Sequence, residues 1–595
     1  MASSKHTTTP KADHRRRNVI ILTVVGAVVV VVAAVAIYAY LQLSSARDDI
    51  DVATSSASEL QTALESGDQV AAQRALTTLQ SSIGNADSTI GSAIFSLGAR
   101  LPVAGKNIDA VRTVTSSLRR VADSGLPPLV DVADQFNGKT FNPQGGAINV
   151  DAIAGIGPNV AEASKVIGAA SIDVGAIDAS SLLGSLQGPV EDVQDKLGHA
   201  AAVAQRATTA ADVVPQMLSG KHSYLLIFQN NAEIRATGGL PGAYAVLQVD
   251  NGKVSLGQQG SGGSMGELPY KATPISDEET DLFDTKLVSD FRDINFTPDF
   301  PRAASIGAEI LKREKGIDVD GVLSIDPVTL SYVLQSTGPI ELEDGSTLTT
   351  DNAVDVLLNG VYVNYPEGDA QDAYFASAAQ KIFDKVLAGA GDPTVLLKAL
   401  TRATQEHRVL VWTKDDDIEQ KLNGTALAGQ LPFGDAATST LGFYINDATG
   451  AKMQYYLDYD VDAKATKCSA AGAQTYSTVT TLRSTAPADS ANLPASIQGP
   501  GFGAPPGSML MNLYVYAPDG GTVDKLTIDK EETTSFPFTH EGRGVELVTV
   551  QVNPGQTVTV EATVTSGKAQ RGSTRVLATP SIQPGSESGV VKSAC

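Results

Sequence analysis

The sequence predicts an α+β multidomain chain in four parts: a single transmembrane helix, a helical stalk or bundle, an α/β layered central domain and a C-terminal β-sandwich. Three observations carry this reading. Residues 19–43 hold no charged side chain, and about 20 apolar residues in helix suffice to cross a bilayer core. At Tyr224 the hydrophobic pattern changes from helical spacing to short continuous apolar runs alternating with helices, the mark of layered α/β structure. After Gly442 the helical pattern ends and strict two-residue alternation takes over, as in half-buried strands.

The composition excludes several classes. The 595 residues carry 44 Lys+Arg against 66 Asp+Glu, a net charge of −22. Nucleic acid is not expected as a partner, because phosphate binding needs a basic footprint. Hydrophobic residues reach 42%, enough for packed cores. Two cysteines cannot build an iron–sulfur centre or a Cys-rich zinc site. The six histidines, His6, His14, His199, His222, His407 and His540, fall in no metal-ligand spacing. Neither a metal nor a cofactor is expected.

Residues 1–18 form a basic tail, with Lys5, Lys11, Arg15, Arg16 and Arg17 against Asp13. By the positive-inside rule this tail is cytoplasmic and the chain after 43 extracytoplasmic, a single-pass plasma-membrane topology. Residues 44–219 read as a helical domain or stalk, with Leu60, Leu64, Ala71, Ala75, Leu79 and Ile83 along one face. Residues 220–440 read as the α/β domain: strands at 224–228, 243–249, 253–256 and 320–325, and helices at 303–315, 328–335, 350–362 and 373–388. Residues 441–595 read as the β-sandwich, with strands at 452–461, 476–483, 509–516, 545–552 and 558–564. An extracytoplasmic compartment oxidises thiols, so Cys468 and Cys595 are expected to pair and pin the C-terminal tail.

Two polar clusters are the candidate site. The first, residues 229–239, contains Asn231, Glu233, Arg235, Gly238 and Gly239 at the end of a buried strand, where α/β sheets place ligand loops. The second, residues 291–301, contains Arg292, Asp293, Asn295 and Asp299 interleaved with aromatics. A binding crevice is one reading; glycines let backbone N–H groups approach a ligand, and arginine grips an anion with a two-pronged fork. A structural network in which Glu233 and Arg235 pair is the other. Gly262-Gly263-Ser264-Met265-Gly266 fits G-x-S-x-G, but lacks the preceding apolar strand and following helix of a nucleophile elbow.

The stretches 224–239, 293–301 and 319–327 resemble the signature of the bacterial domain-of-unknown-function 4012 family, and the Ala/Val-rich, Lys-poor usage fits its actinobacterial type. More distantly, the order of elements resembles the LytR–CpsA–Psr family, whose members are single-pass proteins that transfer undecaprenyl-pyrophosphate-linked glycopolymer to the cell wall. That resemblance implies a LytR–CpsA–Psr-like central fold, and a lipid-linked glycan or cell-wall polymer as partner. Only Arg235 matches an arginine of that family; no Arg stands at 257–265 or 369–380. The combined expectation is a membrane-anchored extracytoplasmic envelope protein of non-catalytic binding or assembly role. The alternatives are a glycopolymer phosphotransferase and a structural or adhesive ectodomain.

Overall fold

The computed structural model describes residues 55–64, 68–90, 104–136, 143, 145–342, 344–431, 439–583 and 588–595. Residues 1–18 and the apolar segment 19–43 lie outside them. Among the described residues no helix is long and apolar enough to cross a membrane, so the single transmembrane helix expected in the fold class is not supported. The physical reason is the one-sided pattern of these helices. In Val150–Gly175 the buried Ile153, Ile156, Val160, Ile167 and Val174 alternate with polar residues such as Asp151, Asn159, Glu162 and Lys165.

The chain divides into two compact units. The first is helical, built from Gln69–Ile90, Ala104–Arg120, Val150–Gly175 and most of Gly184–Leu218. Its core gathers Leu60, Leu64, Leu76, Leu79, Leu118, Leu126, Ile167 and Leu197, all nearly or fully excluded from solvent. Helical spacing of 3.6 puts such residues on one stripe of each helix, and burying the stripes together is what holds the unit.

The second unit contains the α/β layer and, among the described residues, all the β-strands. Its first sheet comprises β1 (Lys221–Asn230), β2 (Leu240–Asp250), β3 (Lys253–Ser261), β4 (Gly321–Ile325) and β7 (Leu410–Thr413); β5 (Ile340–Glu341) and β6 (Thr347–Leu348) form a separate small pair. The order is β3-β2-β1-β4-β7. β1 and β4 run parallel, the chain reaching β4 from β3 by a crossover that includes helix Phe300–Lys315, while the other neighbours are antiparallel. The β2–β3 turn places Asn251 and Gly252 at positive φ (49° and 83°), the geometry an Asn-Gly hairpin supplies.

Two further sheets pack face to face. One has the order β13-β12-β16-β10-β9, the other β14-β15-β11-β8-β17-β18. In chain order these are β8 (Ser439–Asp447), β9 (Leu457–Cys468), β10 (Gln474–Ser484), β11 (Met509–Tyr516), β12 (Thr522–Ile528), β13 (Glu531–Glu532), β14 (Phe536–His540), β15 (Arg543–Val552), β16 (Thr557–Thr565), β17 (Thr574–Ala578) and β18 (Ser588–Val591). Val558, Val560, Ala562 and Val564 of β16 are buried between the sheets.

β8 is buried along its whole length. Its Leu441, Phe443 and Ile445 face the sandwich core, while Tyr444 packs with Tyr514, Tyr516, Phe291, Ile294 and Phe300 in the core under the first sheet. Alternation along the strand therefore serves two cores at once, one between the sandwich sheets and one between this sheet and the α/β layer. The disulfide Cys468–Cys595 joins the end of β9 to the last residue, closing a separation of 127 residues.

Candidate functional site

Strand β1 carries a register shift at Phe228/Gln229, and the chain then folds back over residues 231–239 before entering β2. Three side-chain amides hold that fold-back. Gln229 accepts the Gly239 N–H at 2.7 Å and donates to Ser324 Oγ at 2.6 Å. Asn231 Nδ2 donates to the Gly238 carbonyl at 3.4 Å and to Asp326 Oδ2 at 3.2 Å. Asn295 Nδ2 donates to the Gly239 carbonyl at 3.0 Å. The glycines are required by this closeness. A Cβ on Gly239 would lie 2.4 Å from the carbonyl carbon and oxygen of Asn230, and one on Gly238, whose φ is +135°, 2.6 Å from Gln229 Oε1.

Arg235 is buried in the middle of the loop. Its Nη2 donates to Glu233 Oε1 at 3.0 Å and Asp293 Oδ1 at 3.1 Å, and its Nη1 to the Ile234 carbonyl at 3.1 Å. The guanidinium carbon stands 4.7 Å over the Phe296 ring, a cation–π contact. Glu233 is also paired with Lys452 at 3.4 Å. Burial opposes the charge on Arg235, but Glu233 and Asp293 more than offset it and hold its pKa above the ordinary arginine value. Burial raises the pKa of Asp293, against the pull of Arg235. The two sequence clusters thus meet directly, as partners in an ion pair.

Asn446 on β8 fastens both clusters to the sandwich: its Oδ1 accepts the Ala236 N–H at 2.8 Å and its Nδ2 donates to the Phe296 carbonyl at 2.9 Å. The neighbouring Asp447 is buried, which raises its pKa, and it accepts from Thr449, Gly450 and Gln454. A second buried ion pair lies beyond Asn231. Asp326 caps helix Pro327–Thr337 through the Thr329 N–H and hydroxyl. Arg408 binds Asp326 at 2.8 Å, Glu406 at 2.7 Å and the Ser581 carbonyl at 2.6 Å. Asn446, Lys452, Asp326 and Arg408 escaped the sequence reading as site residues. Asp326 alone carried a local signal, its position before Pro327 at a strand end.

Arg292 does not join this network. It is exposed, and pairs with Asp290 two residues earlier at 2.5 Å; that hydrogen bond raises its pKa. Asp299 sits apart as well, accepting the Leu431 N–H at 2.8 Å, and burial pushes its pKa up to about 6. The cavity against the loop measures about 40 Å³ and is lined by Ala236, Thr237, Pro298, Tyr444 and Leu577 among others. It has room for a water molecule or two and none for a polyprenyl chain.

Gly262–Met265 is a 3-10 turn after β3, and Ser264 Oγ donates to the Ser261 carbonyl; its neighbours Gly263, Met265 and Gly266 offer no base. An open groove of about 390 Å³ holds Lys221, His222, Ser223, Asp250, Lys253 and Asp320. There Ser223 Oγ bonds Gln248 rather than His222, whose Nε2 meets the Ser219 carbonyl at 2.7 Å, so no Ser–His relay exists. Among the described residues no group of three His, Cys, Asp or Glu side chains is arranged to hold a metal ion.

Residues 219–362 match the family model for a protein of unknown function, DUF4012. This segment is a DUF4012 domain. It spans the whole 229–239 loop, the 291–301 cluster and Asp326, so the network above lies largely within it. No curated protein and no solved structure matches the chain, and the LytR–CpsA–Psr resemblance is not shown by these comparisons.

Proposed function

We propose that this chain is an extracytoplasmic cell-envelope protein that acts by binding or assembly rather than by catalysis, with its DUF4012 signature serving as a structural joint. The observation that carries the reading is the state of Arg235. The one arginine in the position expected to grip a pyrophosphate is 4% exposed and already neutralised by Glu233 and Asp293. A phosphate entering there would have to displace two carboxylates from a buried site, and little solvation energy would be returned for the exchange. The Cys468–Cys595 disulfide supports the extracytoplasmic part, since such bonds persist in oxidising compartments. Envelope glycopolymer is the partner class that the sequence resemblance suggests.

The test has two arms. Purified protein is incubated with undecaprenyl-pyrophosphate-linked glycan, a divalent cation and isolated wall polymer, and transfer and co-sedimentation are both measured. Co-sedimentation without transfer is expected. Transfer above the protein-free control would establish the phosphotransferase alternative; neither transfer nor co-sedimentation would leave the adhesive or purely structural reading and remove glycopolymer as the partner.

A further inference from the structure

Three segments meet at one end of the sandwich: 463–475, where β9 turns into β10; 566–574, which joins β16 to β17; and 588–595, which includes β18. Gln474, fully buried, holds all three together. Its Nε2 donates to the Gln570 and Gly572 carbonyls, each at 2.7 Å, and its Oε1 accepts the Ala594 N–H at 2.9 Å and the Ser593 hydroxyl at 3.1 Å. Arg571 Nη2 donates to the Ala470 carbonyl at 2.8 Å, and the Ala569 N–H to the Ala471 carbonyl at 2.9 Å. The disulfide ties Cys468 to Cys595.

These segments carry Lys464, Lys467, Lys568, Arg571 and Lys592, and no Asp or Glu. In a chain with 66 acidic residues against 44 basic ones, the sign of the charge is reversed here. All five residues are exposed, and among the described residues none of them is in an ion pair. Elsewhere exposed cations stand beside carboxylates, as Lys312 and Lys414 do on Asp318. Asp519 and Asp524 lie on the adjacent 517–525 segment, and Asp524 is engaged by the Thr522 and Thr565 hydroxyls. A charged rim that only solvates the fold needs no such separation of sign.

We propose that this end of the sandwich docks a linear polyanion, a phosphate-bearing envelope glycopolymer. The inference rests on the glycopolymer partner proposed above and gives it a surface. Charge complementarity selects the class of ligand. An exposed ion pair contributes little by itself, so a single phosphate is held weakly, while a chain of phosphates crossing several cations gains from each. Ser477, opposite Lys464 in the β9–β10 ladder, and Ser573 add exposed hydroxyls for the sugars. The backbone beneath is already pinned, so binding orders only side chains. A bilayer fits less well, because the three segments contain no aromatic residue to sit at its interface.

Lys467→Glu, Lys568→Glu and Lys592→Glu together reverse three of the five charges and leave Arg571 with its hydrogen bond. The same reversal at the exposed Lys271, Lys286 and Lys530 is the control. Both variants and the wild-type chain are titrated with isolated phosphate-bearing wall glycopolymer, with the same polymer stripped of phosphate, and with phosphatidylglycerol vesicles. The wild type is expected to bind the intact polymer more tightly than the stripped one, and less tightly as salt rises. The patch variant is expected to lose about tenfold in affinity for the intact polymer, and the control under about twofold. Lys467→Gln, Lys568→Gln and Lys592→Gln together, which remove charge without reversing it, should lose less than the Glu set. A patch variant that binds like the control overturns the docking surface and leaves the glycopolymer reading standing, as does equal binding of intact and stripped polymer. A wild-type chain that binds neither form of polymer overturns both, and patch-dependent binding of vesicles alone replaces the polymer with a lipid surface.

Discussion

Replacing Arg235 by Met removes the fork and leaves Glu233 and Asp293, whose side chains are 8% and 13% exposed, facing each other without their shared cation. Breaking a buried pair in this way costs about 3–5 kcal/mol, because the charges left behind cannot return to water. Lys452 still neutralises part of Glu233, which places the expected loss toward the lower end, about 3 kcal/mol. Asp293→Asn in the same background removes one stranded charge, and is expected to recover about 1–2 kcal/mol by the coupling typical of contacting residues. The loss is also expected to shrink at acid pH. Burial already raises the Asp293 pKa with Arg235 in place, and without that cation the carboxyl protonates more readily still. Trp412, the chain's one tryptophan, lies on β7 and packs on the core beneath this sheet. Its fluorescence in a denaturant titration therefore reports this unit. An Arg235→Met midpoint within 1 kcal/mol of wild type, or an Asp293→Asn change that recovers nothing, would refute the argument that the charges are held by one another.

Asp299→Asn should stabilise the protein at neutral pH. The folded pKa, about 6, lies above the ordinary 3.8, so the folded state holds the proton more tightly and stability falls as pH rises from about 4 to 6. At 1.36 kcal/mol per pH unit the difference reaches at most about 3 kcal/mol. Asn keeps an acceptor for the Leu431 N–H, and the variant's advantage should appear above pH 6 and vanish near pH 4 in paired melts. Gly239→Ala drives a Cβ into the Asn230 backbone at 2.4 Å, and should cut the yield of folded protein more than Gly168→Ala in a helix, where nothing lies within 4 Å. Reduction, or Cys468→Ser with Cys595→Ser, frees a loop of 127 residues; the chain-entropy account gives an upper figure of about 5 kcal/mol, read as a lower denaturation midpoint in the oxidised-versus-reduced comparison.

The α/β layer was legible because its strands are short apolar runs between clear helices. The run 224–228 is the centre of β1, and Asn251-Gly252 announces its own turn. The hairpin-rich sandwich was legible wherever one face is buried, as along 558–564. β8 was not, because burial on both faces abolishes alternation: Ser439–Asp447 mixes Gly442, Tyr444 and Asn446 with aliphatic residues. The candidate residues were found by type and by position at a strand end, but their partners were not. Asn446 lies 210 residues from Ala236, Lys452 lies 219 from Glu233, and Arg408 lies 82 from Asp326. No local period records such pairings. Arg292 shows the opposite error: its partner Asp290 stood two residues away in plain view.

A glycine pair beside an arginine at a strand end satisfies the usual description of an anion loop, and the structure shows why the description is insufficient. Glycine permits close approach without specifying what approaches. Here the approaching group is the chain itself, since the Gly238–Gly239 peptide is packed on Asn230 and gripped by Gln229, Asn231 and Asn295. Arginine permits a bidentate grip without specifying on what. Here it is gripped by Glu233 on its own loop and Asp293 on the neighbouring cluster. Each motif residue is used, and each use is internal. What the loop contributes is attachment: Asn446 ties it to β8, and Thr579 Oγ1 donates to the Ala236 carbonyl at 3.0 Å from just beyond β17. Residues that identify the family therefore sit where the first sheet meets the sandwich. Loss of any one of them should weaken that junction before it affects any ligand.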